Sequence, residues 1–144
     1  MNKTDKSQNI AEPGVSSGSV AIIGAGLIGR GWAIVFARAG WQVKLYDLDV
    51  GALDVAKKEI PSQLQMLVSH GLGSSPDLII QKIDFESDLA TALTDVDYVQ
   101  ECGPEVLDVK QALFSELDRL SAPQAILASS TSGFMASEFA AHLS

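Results

Sequence analysis

Short apolar runs alternate with longer stretches of helical periodicity from Val20 onward. The short runs are rich in branched residues and predict buried strands at residues 20–23, 41–47, 79–85, 96–102 and 125–131. Between them, apolar residues recur every three or four positions and predict helices at residues 27–40, 50–70, 89–93, 104–121 and 137–143. Because parallel strands need crossover connections, this order predicts an α/β fold: a doubly wound, mainly parallel sheet with helices on both faces.

Two prolines bear on the helix assignments. Pro61 lies inside the second helix and is expected to kink or split it. Pro104 suits the first turn of the next long helix, with Glu105 beside the positive end of the helix dipole. The apolar residues at helical spacing are, in the first helix, Leu27, Ile28, Trp32, Val35 and Phe36 and, after Pro104, Val106, Val109, Leu113, Leu117 and Leu120.

Composition narrows the class of protein. The 144 residues are 47% hydrophobic, with a formal net charge of -8 and one cysteine, Cys102. This predicts one folded domain at residues 18–144, after a polar, disordered leader at 1–17 that lacks the apolar middle of a signal peptide. Without a run of about 20 apolar residues or a basic block, neither a membrane nor a nucleic-acid partner is expected. One cysteine predicts no disulfide and no cysteine-based zinc site, which fits a cytoplasmic protein that holds no metal.

A glycine motif follows the first predicted strand and opens the first helix. Gly24, Gly26 and Gly29 form a G-x-G-x-x-G, in which the glycines allow a tight turn, close approach of a pyrophosphate and close packing of helix on strand. Asp47 ends the second strand, where a carboxylate can accept hydrogen bonds from the ribose hydroxyls of an adenosine. The combination predicts a Rossmann-type site for NAD, since Asp47 would repel the additional phosphate of NADP.

Three segments in register carry a family resemblance. They are VAIIGAGLIGRGWAIVFARAGWQVKLYDLD, VQECGPEVLDVKQALF and ASSTSGF. Together, over about residues 19–140, they resemble the NAD-binding domain of the L-3-hydroxyacyl-CoA dehydrogenase family, especially its lambda-crystallin and L-gulonate 3-dehydrogenase branch. The resemblance implies hydride transfer between NAD and the C3 hydroxyl of an L-3-hydroxyacyl-CoA or a free L-3-hydroxy acid, a role in fatty acid metabolism, and a homodimeric parent enzyme.

The resemblance also implies roles for single residues. Glu105 and Lys110 match positions that contact the dinucleotide near its ribose and nicotinamide end, although a helix N-terminal acid and a solvated lysine are the alternatives. Ser132 matches the serine that hydrogen-bonds the substrate oxygen beside the nicotinamide, with a loop entry as the alternative. The other candidate cofactor contacts are Leu27 and Ile28, between the motif glycines, and Cys102, which with Glu101 lines the end of the fourth predicted strand. Arg30 could face either the pyrophosphate or solvent.

The general base of the reaction is not among these residues. Oxidising a secondary alcohol needs a group, most often histidine, that accepts the hydroxyl proton. In the family this histidine follows the serine loop by about 20 residues, which places it past Ser144, and a helical substrate and dimer domain follows. His70 and His142 are expected at the surface or at helix ends. The chain is therefore expected to be the NAD-binding portion of such an enzyme, inactive alone; a non-catalytic NAD-binding sensor or structural module is the alternative.

Overall fold

The computed structural model describes residues 17–73 and 75–143, so the predicted leader lies outside the described residues except for Ser17. Five parallel strands form one sheet in the order β3-β2-β1-β4-β5. The strands are β1 (Ser19–Ile23), β2 (Gln42–Tyr46), β3 (Ile83–Glu86), β4 (Tyr98–Glu101) and β5 (Ile126–Ser129). The helices are α1 (Leu27–Arg38), α2 (Val50–Ser69), α3 (Pro76–Ile80), α4 (Leu89–Leu93), α5 (Leu107–Leu120) and α6 (Ala136–Phe139). The doubly wound parallel sheet predicted from the sequence is confirmed.

Each face of the sheet packs against its own helices, because successive strand residues point to opposite sides. On one face, Val20 and Ile22 of β1 belong to a buried cluster with residues of α1 and α2. On the other, Ala21 and Ile23 join a cluster that includes Phe114 of α5 and residues of α4 and α6. Burial on both faces explains the continuous apolar run of β1.

The carboxyl ends of the five strands meet at one edge of the sheet because all strands are parallel. The strand order changes direction between β1 and β4, since the chain first adds β2 and β3 on one side and then returns to add β4 and β5 on the other. Such a switch point opens a crevice between the loops that follow the two central strands. The loops after β1 and β4 flank it here.

The sequence predicted that Pro61 kinks or splits the second helix, and the prediction of a split is wrong. Pro61 lies within one helix of 20 residues, α2. Buried residues occur on both sides of it, with Ile60 before it and Leu64 after it. Packing of this continuous face on the sheet offsets the backbone hydrogen bond that proline cannot donate.

Other boundaries also differ from the predictions. Residues 79 and 80 belong to helix α3, and the strand predicted at 79–85 begins only at Ile83. Helix α5 begins at Leu107, so Pro104 and Glu105 precede it in a loop and Glu105 is not a helix N-terminal acid. The apolar residues at helical spacing are partly solvent-exposed, among them Leu27, Ile28, Val35, Val106 and Val109. No described helix combines the length and apolar character needed to cross a membrane.

Candidate functional site

The glycine loop joins β1 to α1 at the switch point. Gly24 has a φ of +112°, and a Cβ there would lie 2.8 Å from the carbonyl oxygen of Cys102. A Cβ on Gly29 would lie 1.7 Å from the carbonyl oxygen of Gly24, so only glycine lets the helix pack this closely on the loop. Gly26, the N-cap of α1, faces open space. The loop therefore brings free backbone N–H groups and the positive helix end to the crevice, as anion binding requires.

Asp47 follows β2 and holds this loop in place. Its Oδ2 accepts a hydrogen bond of 2.8 Å from the backbone N–H of Ala25, and its Oδ1 accepts one of 2.9 Å from the N–H of Asp49. A carboxylate can accept up to about four hydrogen bonds, so Asp47 retains capacity for the two hydroxyls of a ribose. The sequence predicted that Asp47 binds the ribose and did not predict that it holds the glycine loop.

A cavity of about 580 Å³, the glycine-side cavity, lies between the ends of β1, β2 and β4. Gly24, Gly26 and Asp47 line one wall, and Cys102 and Gly103 line the opposite wall. The remaining lining is largely apolar and is made by Ile23, Tyr46, Leu48, Pro104, Val109 and Leu113. Apolar walls with one carboxylate at the rim suit an adenosine, which has a flat base to bury and ribose hydroxyls to hydrogen-bond.

A second cavity of about 260 Å³, the serine-side cavity, lies at the ends of β4 and β5. It is lined by Ile28, residues 101–103, Glu105, Lys110 and residues 130–132. Because Cys102 and Gly103 line both cavities, the two lie side by side across the switch point.

Lys110 is buried in the wall of the serine-side cavity. Its ammonium lies 2.8 Å from both carboxylate oxygens of Glu101, and both side chains are 1% exposed. Glu101 also accepts hydrogen bonds from the N–H of Gly103 and from the hydroxyl of Ser129. The interpretation of Lys110 as a solvated surface residue is therefore wrong.

Glu105 reaches the same cavity from the loop before α5. Its Oε1 lies 3.5 Å from the Lys110 ammonium, and its Oε2 accepts a hydrogen bond of 2.7 Å from the hydroxyl of Thr131. That hydrogen bond and the nearby Lys110 charge lower the pKa of the Glu105 carboxyl. The carboxylate is fixed and ionised at neutral pH while remaining 47% exposed toward the solvent.

Ser130 is the centre of a network that the sequence did not predict. Its hydroxyl oxygen accepts hydrogen bonds from the Trp32 indole N–H at 3.0 Å and the Gln100 amide at 2.7 Å. Cys102 Sγ lies 3.3 Å from the same oxygen. These contacts join α1, β4 and the loop after β5. No local pattern indicates these contacts, because the residues are far apart in sequence. The sequence pattern places Trp32 among the apolar residues of the first helix, although its indole N–H can donate a hydrogen bond.

Only some of the remaining predicted residues line the two cavities. Ser132 is exposed and lines the serine-side cavity, as does Ile28, whereas Leu27 is exposed and lines neither cavity. Burial raises the pKa of the Cys102 thiol, so the thiol is neutral at neutral pH in the wall that the two cavities share. Arg30 lines neither cavity, and its buried Nε has no hydrogen-bond partner among the described residues.

Both histidines are exposed, as predicted, and neither lines the glycine-side or the serine-side cavity. His70 is the C-cap residue of α2 and is exposed. His142 is exposed and contacts the hydroxyl of Ser115 at 2.8 Å. In the part of the chain that the structure describes, no cluster of three or more His, Cys, Asp or Glu side chains is arranged to hold a metal ion.

The geometry fits a dinucleotide. A glycine-rich turn lies at the crevice, and Asp47 lines a largely apolar cavity beside it. A second cavity with polar groups adjoins the first at Cys102 and Gly103. These are the features of a Rossmann-type nucleotide-binding domain. The fold and site thus define a dinucleotide-binding domain.

The chain belongs to the family described as 3-hydroxyacyl-CoA dehydrogenase, NAD binding domain, whose family model matches residues 19–144. It is 39% identical over 140 residues to the lambda-crystallin homolog of Bos taurus, a match covering 93% of this chain and 43% of that protein. It is 35% identical over 124 residues to L-carnitine dehydrogenase of Staphylococcus epidermidis, covering 86% of this chain and 38% of that protein. The chain thus spans less than half the length of these relatives.

Solved structures agree with the assignment. The crystal structure of 3-hydroxybutyryl-CoA dehydrogenase from Escherichia coli superposes with a TM-score of 0.83 at 32% identity. That match covers 90% of this chain and 28% of the other. NAD is the cofactor of this domain, and the predicted family, fold and cofactor are confirmed.

Proposed function

We propose that this chain is the NAD-binding portion of an oxidoreductase acting on the C3 hydroxyl of an L-3-hydroxyacyl-CoA or a free L-3-hydroxy acid. The observation that carries the proposal is the pair of adjoining cavities, with Asp47 at one end and Ser132 at the other. In this proposal Asp47 hydrogen-bonds the adenosine ribose. Ser132 is then at the end where the nicotinamide and the substrate would meet.

Each side chain of the serine-side cavity has a task in this proposal. NAD, when bound, supplies the hydride acceptor. The exposed Ser132 hydroxyl donates a hydrogen bond to the substrate oxygen, where negative charge develops as the O–H proton leaves. Glu105 and Lys110 orient the nicotinamide half, and the Glu101 carboxylate holds Lys110 in place. A base outside the described residues accepts the proton.

The substrate class has two branches. The names of the relatives include a lambda-crystallin homolog and an L-carnitine dehydrogenase as well as 3-hydroxyacyl-CoA dehydrogenases. A coenzyme A ester would place the protein in fatty acid metabolism, and a free hydroxy acid such as L-gulonate or L-carnitine would not. We include in the proposal a homodimeric parent enzyme in the cytoplasm, without membrane or nucleic-acid partners; these points rest on the family resemblance and the composition.

A non-catalytic NAD-binding module, as sensor or structural protein, is the second candidate. The observation that favours it is the position of the histidines: among the described residues, neither His70 nor His142 lines a cavity with Ser132. Such a module would bind NAD by the same residues and turn over no substrate.

Turnover assays distinguish the two candidates. The 144-residue chain and the product of the complete reading frame are each assayed with NAD and L-3-hydroxybutyryl-CoA, L-gulonate or L-carnitine, with NAD binding measured by calorimetry. The enzyme proposal predicts binding by both proteins and turnover by the longer one only. Binding without turnover of any substrate supports the module, and turnover by the short chain that His142→Ala abolishes would show that its base lies within these residues.

A further inference from the structure

The charged groups around the serine-side cavity do not cancel. Glu101 and Lys110 form a neutral pair with 2.8 Å contacts. Glu105 adds a second carboxylate 3.5 Å from the same ammonium, and no second cation occurs among the described residues that line the cavity. At neutral pH the lining therefore carries a formal charge of -1.

This surplus charge is accessible to a ligand. The side chains of Glu101 and Lys110 are 1% exposed, so their charges are held within the wall. The Glu105 carboxylate is 47% exposed at the cavity and is fixed by the hydroxyl of Thr131. Its charge is thus the one that a bound group can approach.

The nicotinamide half of the dinucleotide belongs on this side of the switch point. Asp47 lies at the end of β2, in the glycine-side cavity, and marks the adenosine end. The other half must then extend toward β4 and β5. NAD⁺ and NADH share the adenosine, both riboses and both phosphates, and differ in the ring, which is cationic when oxidised and neutral when reduced.

We propose that Glu105 makes the serine-side cavity distinguish the two redox states, favouring NAD⁺ over NADH relative to the same site without this carboxylate. The inference rests on the proposed function because it assumes that the nicotinamide lies at the Ser132 end. Removing the charge should weaken NAD⁺ selectively, by an amount that a single Coulomb interaction in a partly solvated site supplies.

The test is the ratio of the dissociation constant of NADH to that of NAD⁺, measured in the full 144-residue chain. Binding of NAD⁺, NADH and ADP-ribose is measured by calorimetry for the wild type and for Glu105→Gln. We expect Glu105→Gln to weaken NAD⁺ by about 5-fold more than NADH, on the scale of one charge screened by nearby water, and to leave ADP-ribose unchanged. Glu105→Asp keeps the charge and should retain most of the wild-type ratio.

Two control variants separate charge at this cavity from other effects. Glu59→Gln removes one negative charge on α2, which lines neither cavity, and should leave the ratio unchanged. Asp47→Asn should weaken both redox states by the same factor, because its contact is to their common half. A ratio that also changes in these variants would assign the effect to net charge or to general loosening of the site.

The outcome for the wild type separates this inference from the function beneath it. A chain that binds neither NAD⁺ nor ADP-ribose contradicts the proposed function. A chain that binds both, with equal losses of NAD⁺ and NADH in Glu105→Gln or no loss of either, contradicts only the redox discrimination. If Glu105→Gln does not fold, the wild-type protein is tested at increasing salt concentration instead. The ratio of the NADH to the NAD⁺ dissociation constant should fall as salt screens the attraction between Glu105 and the charged ring, and a constant ratio overturns the proposal.

Discussion

The Lys110 ammonium lies 2.8 Å from each carboxylate oxygen of Glu101, with both side chains buried between α5 and β4. Desolvating two charges is costly, and a buried ion pair is tolerated when further hydrogen bonds satisfy its remaining atoms. The Gly103 N–H and the Ser129 hydroxyl do so here. The pair therefore ties the loop after β4 and the end of β5 to one helix.

Lys110→Met should destabilise the chain by about 3–5 kcal/mol, because it leaves Glu101 buried without its counter-ion. Adding Glu101→Gln should recover part of that loss, since a neutral amide can still accept the hydrogen bond of Gly103. Urea unfolding of the two single variants and the double variant measures this coupling. Additive losses would indicate that the two side chains do not stabilise each other.

Three glycines of α1 and its loop should respond differently to alanine. Gly29→Ala should cost about 3 kcal/mol through its clash with the Gly24 carbonyl, whereas Gly31→Ala, which meets open space, should stabilise the helix by about 0.5–1 kcal/mol. Gly26→Ala should leave stability nearly unchanged, because its Cβ meets no other atom. It should weaken NAD binding, because the Cβ would lie where the pyrophosphate approaches the glycine loop. Thermal unfolding and calorimetry on the three variants test this; equal effects at Gly29 and Gly31 would contradict the packing.

Asp47→Ala should weaken NAD binding by about 10-fold or more, since a hydrogen bond to a charged group contributes roughly 1.5–3 kcal/mol. NADP binding should weaken less, so the preference for NAD should decrease. Asp49→Ala is the matched control: it removes the N-cap of α2 and about 1 kcal/mol of stability without touching either cavity. Calorimetry with both cofactors measures the preference, and the same preference in the wild type and Asp47→Ala would remove Asp47 from the site.

The sequence predicted those features of the site that depend on neighbours in the chain. The glycine turn, the strand end at Asp47 and the alternation of strands and helices follow from local patterns, and all three are present. The burial of Lys110 was not predictable in this way, because its partner Glu101 precedes it by nine residues and lies on a strand. Charge alone suggested only the alternative, a solvated lysine.

The predicted start of helix α5 was wrong for a related reason. Proline followed by an acid is typical of a first helical turn, yet the Glu105 carboxylate is bound to the hydroxyl of Thr131, which lies 26 residues away. That tertiary contact keeps residues 104 and 105 in a loop beside the serine-side cavity. Helix propensity could not reveal it.

The cap of α4 should give a pH-dependent contribution to stability. Hydrogen bonds from the hydroxyl and backbone N–H of Thr91 lower the pKa of Asp88 below its ordinary value of 3.8. A lowered folded-state pKa means that the stabilisation is complete above the ordinary value and is lost as the pH falls through the lowered one. The difference in Tm between the wild type and Asp88→Ala should therefore be constant at neutral pH and shrink in acid. Asp88→Asn, which caps without titrating, should keep its advantage over Asp88→Ala throughout, and a wild-type advantage that persists in strong acid would contradict the assignment.

Ser132 is the residue whose substitution should separate catalysis from stability in the protein that includes the substrate domain. Its hydroxyl is exposed at the serine-side cavity and makes no hydrogen bond to another described residue, whereas Ser130 two positions earlier is bonded to Trp32 and Gln100. Ser132→Ala should therefore lower kcat by about 10-fold or more, the scale of one hydrogen bond to a developing negative charge, with Tm and NAD affinity nearly unchanged. Ser130→Ala, the matched control, should lower Tm because it leaves the Trp32 and Gln100 donors without their acceptor. Steady-state kinetics, calorimetry and thermal unfolding on both variants make the comparison; an unchanged kcat in a destabilised Ser132→Ala protein would assign Ser132 a loop role and remove it from the reaction.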